Sequence, residues 1–427
     1  MKKILIIGGG LSGISSAVFL SKYGFDIEII EASPKMGGRT YSLNYNGIEV
    51  DNGQHILMEC YKNTLEYIDL IGTRNLFDFQ KSLSVNYVND KKELFHFKIP
   101  KYFYPINHFI GLMQFKLLSI KDRFSVLKMF VKIRVTRTAK FNDKTVYEFL
   151  KENNQSEDVI NKFWESLIIS TMNTSAKTAS SKLFVEMMKI IFFEDKKNSN
   201  IVIPKVDLSN ALINPALSFL ETKGVKISTS ERLIAINLNE GKVLEIETNR
   251  RKISDFDAII SSIPLFSLSK IIFGKSLPKI SFPKLEYSPI VTVHVWLTEN
   301  PLKEKMYNLI GSEFDWVFNH KTHLSFVKSN AKNLANLNKN IVIKIVFSEL
   351  KKYFTILTKT EIKDYIVLKE KHATFIPDLN SNEARKSISK IANNLYIIGN
   401  WTNTGLPATI EGAIKSGKDI TQKITFK

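Results

Sequence analysis

Glycines at positions 8, 10 and 13, with an acid at position 31, are the residues whose spacing points most directly to chemistry. The run Ile4-Leu5-Ile6-Ile7 leads into Gly8-Gly9-Gly10-Leu11-Ser12-Gly13, and an Ala-, Ser- and Leu-rich segment follows. A second apolar run, Ile27-Glu28-Ile29-Ile30, ends at Glu31 and Ala32. Strand, tight turn, helix and a second strand tipped by an acid make a dinucleotide-binding fingerprint. Gly8 permits the turn, Gly10 lets backbone approach a pyrophosphate with no Cβ in the way, and Gly13 lets the helix pack close to the sheet. The free amides and dipole at the helix start, around Leu11 and Ser12, favour phosphate. Glu31 can accept hydrogen bonds from a ribose diol. Lys2-Lys3 before an apolar run also suits a secretory leader, but glycines break that run and no small-residue cleavage site follows.

Further elements support the fingerprint. In Met36-Gly37-Gly38-Arg39-Thr40 the glycine pair admits a ligand close to the backbone, and Arg39 can neutralise a diphosphate. Leu395 to Ile398 ends another strand at Gly399-Asn400, where a polar side chain can hydrogen-bond a flavin ribitol. Gly405-Leu406-Pro407-Ala408-Thr409 opens a last helix, from Ile410 to about Thr421. Thr409 is its N-cap candidate, and Ile410, Ala413, Ile414 and Gly417 form its buried face. Aimed at an isoalloxazine ring, this helix start would stabilise negative charge on the N1–C2=O edge of a reduced flavin. Asp51-Asn52-Gly53-Gln54-His55 follows the strand Ile48 to Val50. Asp-Asn-Gly is a common turn, and this one is close enough in sequence to Gly37-Gly38 to reach a flavin face.

The elements that must position these residues lie far apart in the chain. The first eighty residues read as β-α-β plus loops, and 105 to 195 as mostly helical from apolar spacings of three and four. Short strands return at 225–227, 233–238, 243–248 and 258–263, with Asn239-Glu240-Gly241-Lys242 as a hairpin turn. More strands are predicted between 287 and 350, among them Ile290 to Leu297 and Ile341 to Phe347. The chain has 427 residues, too many for one simple core. The predicted class is α/β: a Rossmann-type FAD-binding domain with an inserted α+β substrate domain, a helical block plus a mixed or antiparallel sheet. The first comprises 1–80, 200–270 and 390–427, the second 81–199 and 271–389.

Composition narrows the setting. No apolar run is long enough for a membrane span. Cys60 is the only cysteine, which excludes an intramolecular disulfide and a cysteine-rich metal site and suits a reducing cytoplasm; no metal is expected. The net charge of +18 suggests an acidic partner. Between Lys98 and Lys140 lie ten basic residues (Lys98, Lys101, Lys116, Lys121, Arg123, Lys128, Lys132, Arg134, Arg137, Lys140) and one acid, Asp122. Tyr102, Phe103, Tyr104, Phe109, Ile110, Leu112, Met113, Phe115, Leu117 and Leu118 interleave with them. That mixture suits an anionic membrane surface and peripheral attachment to the cytoplasmic face. No nucleic-acid module accompanies it, so nucleic acid is not an expected partner. The sequence does not specify an oligomeric state.

Together Gly8 to Gly13, Glu31, Gly37-Gly38-Arg39 and the segment from Gly399 to Gly417 resemble the flavoprotein family of amine oxidases and carotenoid desaturases. Within it, Val50 to Leu57, Cys60 to Leu65, Phe163 to Leu167, Met172-Asn173-Thr174 and above all Trp401 to Ala413 are similar to the hydroxysqualene dehydroxylase subfamily. Asn400 stands where the family usually has Asp, and Pro204 to Leu208 replaces a stretch that usually contains glycine. The resemblance implies FAD held by Gly8, Gly10, Leu11, Ser12, Gly13, Glu31, Ala32, Gly37, Gly38, Arg39, Thr40, Gly53, Gln54, His55, Leu233, Gly399, Asn400, Leu406, Pro407, Ala408 and Thr409. It implies an FAD-dependent oxidoreductase acting on an isoprenoid lipid, reducing hydroxysqualene to squalene. Such a reaction needs an acid at the allylic hydroxyl, and His55, Asp51 and Glu411 are the candidates. A carotenoid or phytoene desaturase would use the same fold in the oxidative direction. An amine oxidase reading is disfavoured, because Pro407-Ala408-Thr409-Ile410 lacks the aromatic residue expected there. A non-enzymatic basic binder would leave the glycine elements unexplained.

Overall fold

In the computed structural model of the protein, five short apolar segments from across the chain pair into one parallel sheet. The description covers residues 1–138, 143–273, 282, 284–300, 302–355, 360–387 and 391–425. Lys140 and the expected boundary between 389 and 390 lie outside the described residues. The strand order is Lys226–Ser228, Asp26–Ile30, Lys3–Ile7, Ala258–Ser261 and Leu395–Ile397, every neighbour parallel. Ile4, Leu5, Ile6 and Ile29 are at most 1% exposed, as expected of strands covered on both faces. One face carries the N-terminal helix Leu11–Leu20 and the C-terminal helix Ile410–Thr425. A Cβ on Gly417 would lie 2.2 Å from Ser15 Oγ, so these helices meet nearly backbone to backbone.

A four-stranded sheet covers the other face. Its hairpin, Leu233–Asn239 and Lys242–Thr248, turns at Glu240 and Gly241, both with positive φ, matching the hairpin read from Asn239-Glu240-Gly241-Lys242. Ile272–Phe273 pairs with Ala235 and Ile236, just beyond the expected boundary at 270.

The inserted parts form a helical block between 106 and 193 and a mixed seven-stranded sheet. That sheet runs Ile362–Phe375, Tyr287–Leu297, Leu324–Lys328, Trp316–Asn319, Met306–Leu309, Ser84–Val88 and Leu94–Lys98. The segment Ile341 to Phe347 departs from expectation: it belongs to the helix Lys339–Tyr353, not a strand. Asn338 caps it by accepting from the Ile341 amide. Val342, Val346, Leu350 and Tyr353 recur at helical spacing and are buried. Packing of that stripe onto the sheet outweighs the strand preference of a β-branched run.

Candidate functional site

The glycine fingerprint lies where the parallel strands end, the usual ligand crevice of an open α/β sheet. Gly8 follows the strand Lys3–Ile7 with φ of +106°, and Ser262 Oγ, from the neighbouring strand end, donates to its carbonyl at 2.8 Å. A Cβ on Gly13 would come 2.0 Å from that same carbonyl oxygen, so no larger residue fits this turn. Gly10 differs: its absent Cβ would meet only the Gly38 Cα, at 3.9 Å. The helix beginning at Leu11 has no side-chain cap. The second glycine loop closes on the first, with the Gly37 amide donating to Gly9 O at 2.7 Å and Thr40 N to Gly37 O at 3.0 Å. Glu31 accepts from the Gly9 amide at 2.5 Å and the Ser33 amide at 2.7 Å, beside the exposed Ala32. The Glu231 amide donates to Glu31 O and leads into Leu233, whose side chain is buried beneath the sheet.

Arg39 reaches across the site. Its guanidinium donates to Ala373 O at 2.9 Å, His372 O at 3.3 Å and Asn400 Oδ1 at 3.0 Å. Burial lowers its pKa, and it forms no ion pair with a described carboxylate. A half-buried guanidinium with no ion-pair partner among the described residues, next to an uncapped helix start and an open glycine, suits a diphosphate. Two buried polar groups nearby have donor capacity to spare: Trp401 Nε1 has no hydrogen-bond partner among the described residues, and Tyr287 OH is met by the Phe266 backbone alone. They lie in one cluster with Ile397 and Ala408, so the C-terminal segment has polar capacity to spare for a flavin. Gly399 is fixed by Ser416 Oγ, which accepts from its amide at 3.1 Å. Thr409 caps the C-terminal helix as expected, accepting from the Gly412 amide at 3.0 Å. Leu406 packs on the helical block, and Pro407 and Ala408 bridge it to that cap.

The three acid candidates do not converge. Glu411 turns away from the fingerprint and accepts from Asn63 N, Asn63 Nδ2, Thr64 N and Thr64 Oγ1, at 2.7 to 3.1 Å. Its carboxylate caps the helix Lys62–Leu70, which has no cap at its own N-cap residue. Asp51 accepts from Ser42 Oγ at 2.7 Å and Leu208 N at 2.8 Å, tying its hairpin to the segment after residue 207. Its backbone carbonyl meets His294 Nε2 at 2.9 Å. His55 has no hydrogen bond to the described residues, and burial pushes its imidazole down to about 4, which keeps it neutral at pH 7. It stands beside Gly53, whose absent Cβ would be 3.7 Å from His55 Nε2 and 3.6 Å from the unpaired Thr292 Oγ1. Gln54 is half-buried between them. Of the three, Glu411 has both oxygens engaged, Asp51 uses only Oδ1, and His55 has neither ring nitrogen bonded to the described residues.

Burial raises the Asp51 carboxyl to about 6. The unfolded chain titrates near 4, so protonation favours the folded form. The contribution is complete below about pH 4 and is lost as pH rises through about 6, a change of roughly 2 to 3 kcal/mol. Asp51→Asn keeps an acceptor oxygen and removes the charge. It is expected to melt above wild type at pH 8 and to lose that advantage by pH 4; a pH-independent difference in melting temperature would contradict this account.

Sequence reasoning did not single out Ser262, Tyr287, Thr292 or Arg385. Alternation along Tyr287–Leu297 marks a strand, but not which face meets the fingerprint. Arg385 had no local signal at all.

Comparison with known proteins places the chain as a whole. The family described as flavin containing amine oxidoreductase matches residues 11–425. A protein of Zymomonas mobilis named hydroxysqualene dehydroxylase is 27% identical over 423 residues, covering 97% of this chain and 96% of the relative. A 15-cis-phytoene desaturase of Glycine max is 21% identical, covering 99% of this chain and 79% of its own length. The crystal structure of an oxidoreductase from Methanosarcina mazei superposes with a TM-score of 0.77 at 18% identity, covering 98% of this chain and all of the other.

Proposed function

This chain belongs to the flavin-containing amine oxidoreductase family, and from that premise we propose that it is an FAD-dependent enzyme reducing hydroxysqualene to squalene. The observation that carries the cofactor assignment is the open Gly10 beside a half-buried Arg39 that forms no ion pair among the described residues. The substrate assignment rests on near-full-length similarity to a relative of that name.

Bound in its reduced state, FAD supplies the hydride. The chain's own residues bind, orient and exclude water. The two glycine loops and Arg39 hold the diphosphate, Glu31 the ribose, and Asn400 the ribitol. The turn from Leu406 to Thr409 receives the pyrimidine edge. His55, neutral and without a hydrogen bond to the described residues, presents a ring nitrogen to the substrate hydroxyl. Departure of that hydroxyl as water consumes one proton, which a neutral His55 can relay by taking it from solvent at one ring nitrogen and giving up the other; it leaves an allylic cation, which aromatic faces stabilise and bulk water would quench. A half-open cavity of about 220 Å³ beside the 406–409 turn has apolar walls from Tyr61, Met187, Ile190 and Leu406 and a polar rim that includes Lys62, Glu194, Glu411 and Lys415. Incubation under anaerobic conditions with reduced FAD and hydroxysqualene is expected to yield squalene. A parallel incubation with phytoene and oxidised FAD is expected to yield none; the opposite pair of results would favour a desaturase.

The substrate's source is an anionic membrane. Among the described residues, no helix is long and apolar enough to cross one. Tyr102, Phe103, Ile120, Phe124, Val131 and Val135 are nevertheless 47 to 74% exposed. Lys101, Lys121, Lys128 and Lys132 lie exposed among them. Part of the segment serves the core instead: Leu112, Phe115 and Leu118 are buried, and Arg123 donates to Met113 O and Leu118 O. The exposed remainder inserts apolar side chains while its lysines meet lipid phosphates. Sedimentation should show binding to anionic vesicles that weakens with salt. Equal binding to neutral vesicles would remove the electrostatic part, and no binding to either would refute docking.

A further inference from the structure

Arg385 lies on the short helix Ser381–Lys386 and is 2% exposed. Its guanidinium takes three acceptors within five residues of the loop between the strand Leu395–Ile397 and the C-terminal helix. Nε donates to Thr402 O at 3.0 Å, and Nη2 donates to Thr402 O, to Thr404 Oγ1 at 3.1 Å and to Leu406 O at 2.9 Å. The guanidinium stands 4.5 Å from the centre of the Phe375 ring. It forms no ion pair with any described carboxylate. Burial lowers it to about 10, so it stays charged at neutral pH. Carbonyl dipoles offset part of the cost of burying this charge, but no anion in the described chain completes the compensation.

Arg39 stands half-buried at the other end of the loop, holding Asn400 Oδ1 and the carbonyls of His372 and Ala373, with the Glu370 carboxylate acting on it from a distance. A buried guanidinium and a half-buried one therefore bracket residues 400–406, and neither is in an ion pair among the described residues. That loop ends at the Thr409 cap, where the C-terminal helix adds the positive end of its dipole. An apolar loop support would need no charge in this place. A fixed charge is useful where negative charge develops.

We propose that Arg385 is a positioning residue that clamps the 402–406 loop and lends its charge to the flavin edge seated there, holding the reduced cofactor more tightly than the oxidised one. The proposal rests on the FAD reading above. Binding and reduction are linked, so any tenfold preference for the reduced state raises the two-electron midpoint potential by about 30 mV. A clamp that were only structural would hold both states alike and leave the potential unmoved.

The test compares Arg385→Gln, which keeps an amide donor without the charge, with Arg385→Lys, which keeps the charge without the fork. For each FAD-loaded protein, affinity for oxidised FAD and the midpoint potential of the bound flavin are measured anaerobically. The glutamine variant is expected to lose about tenfold more affinity for reduced than for oxidised FAD, read as a potential lower by about 30 mV. The lysine variant should stay near the wild-type potential even where its affinity drops. A glutamine variant that binds FAD at the wild-type potential overturns the proposal alone. Should that variant not fold, Arg385→Met, which also removes the charge, takes its place: a lowered potential beside a wild-type one in the lysine variant supports the charge assignment, and an unmoved potential in the methionine variant overturns it. A wild-type chain that takes up no FAD overturns the underlying reading, and the proposal with it.

Discussion

Valine at position 10 is expected to give a folded chain that carries no flavin. Gly10 has φ −77° and ψ 174°, a conformation open to any residue, so valine adds no backbone strain. Its Cβ would meet nothing closer than the Gly38 Cα at 3.9 Å, so the empty protein has room for it. The branched methyls instead fill the approach that the cofactor diphosphate needs. Loss of that contact should weaken FAD by on the order of a thousandfold, about 4 kcal/mol. Melting of the apo-protein should barely change, whereas the flavin absorbance of the purified variant should vanish. The same substitution at Gly13 would drive a Cβ to 2.0 Å from Gly8 O and is expected to disrupt the fold itself. A folded Gly10→Val protein with full flavin content would contradict the assignment of this loop.

Glu411→Ala should cost stability before it costs chemistry. The carboxylate satisfies four donors, and Thr64, which supplies two of them, is fully buried. Alanine would leave those donors unpaired and remove the cap from the helix Lys62–Leu70. Together these effects amount to about 3 kcal/mol or more. Denaturant melts should therefore show a lower midpoint, with glutamine, which keeps one acceptor, falling between alanine and wild type. A Glu411→Ala protein of wild-type stability but without turnover would return this residue to the role of acid.

The glycine turn at the end of the first strand was legible because its determinants are local. Gly8, Gly10, Gly13 and Glu31 fall within one β-α-β unit, and their spacing dictates the turn. Thr409 announced its cap the same way. Other features depended on packing that sequence spacing does not contain. Ile341 to Phe347 reads as a strand from its β-branched residues, yet the Asn338 cap and the stripe of Val342, Val346 and Leu350 make it helical. Phe115 and Phe124 share one basic segment, but only the fold decides that the first is buried and the second exposed. Glu411 follows a helix cap and so suggested an aim at the flavin; its true partners, Asn63 and Thr64, are more than three hundred residues away. Arg385 is equally remote from the motif that it supports.

The central claim is that this chain spends reduced flavin on an isoprenoid alcohol. A single-turnover experiment tests it most directly. FAD-loaded protein is reduced under anaerobic conditions, freed of excess reductant and mixed with hydroxysqualene in detergent, while flavin absorbance and extracted lipid are followed together. The account predicts flavin reoxidation with one squalene formed per flavin. Flavin that stays reduced while hydroxysqualene is recovered intact would contradict it.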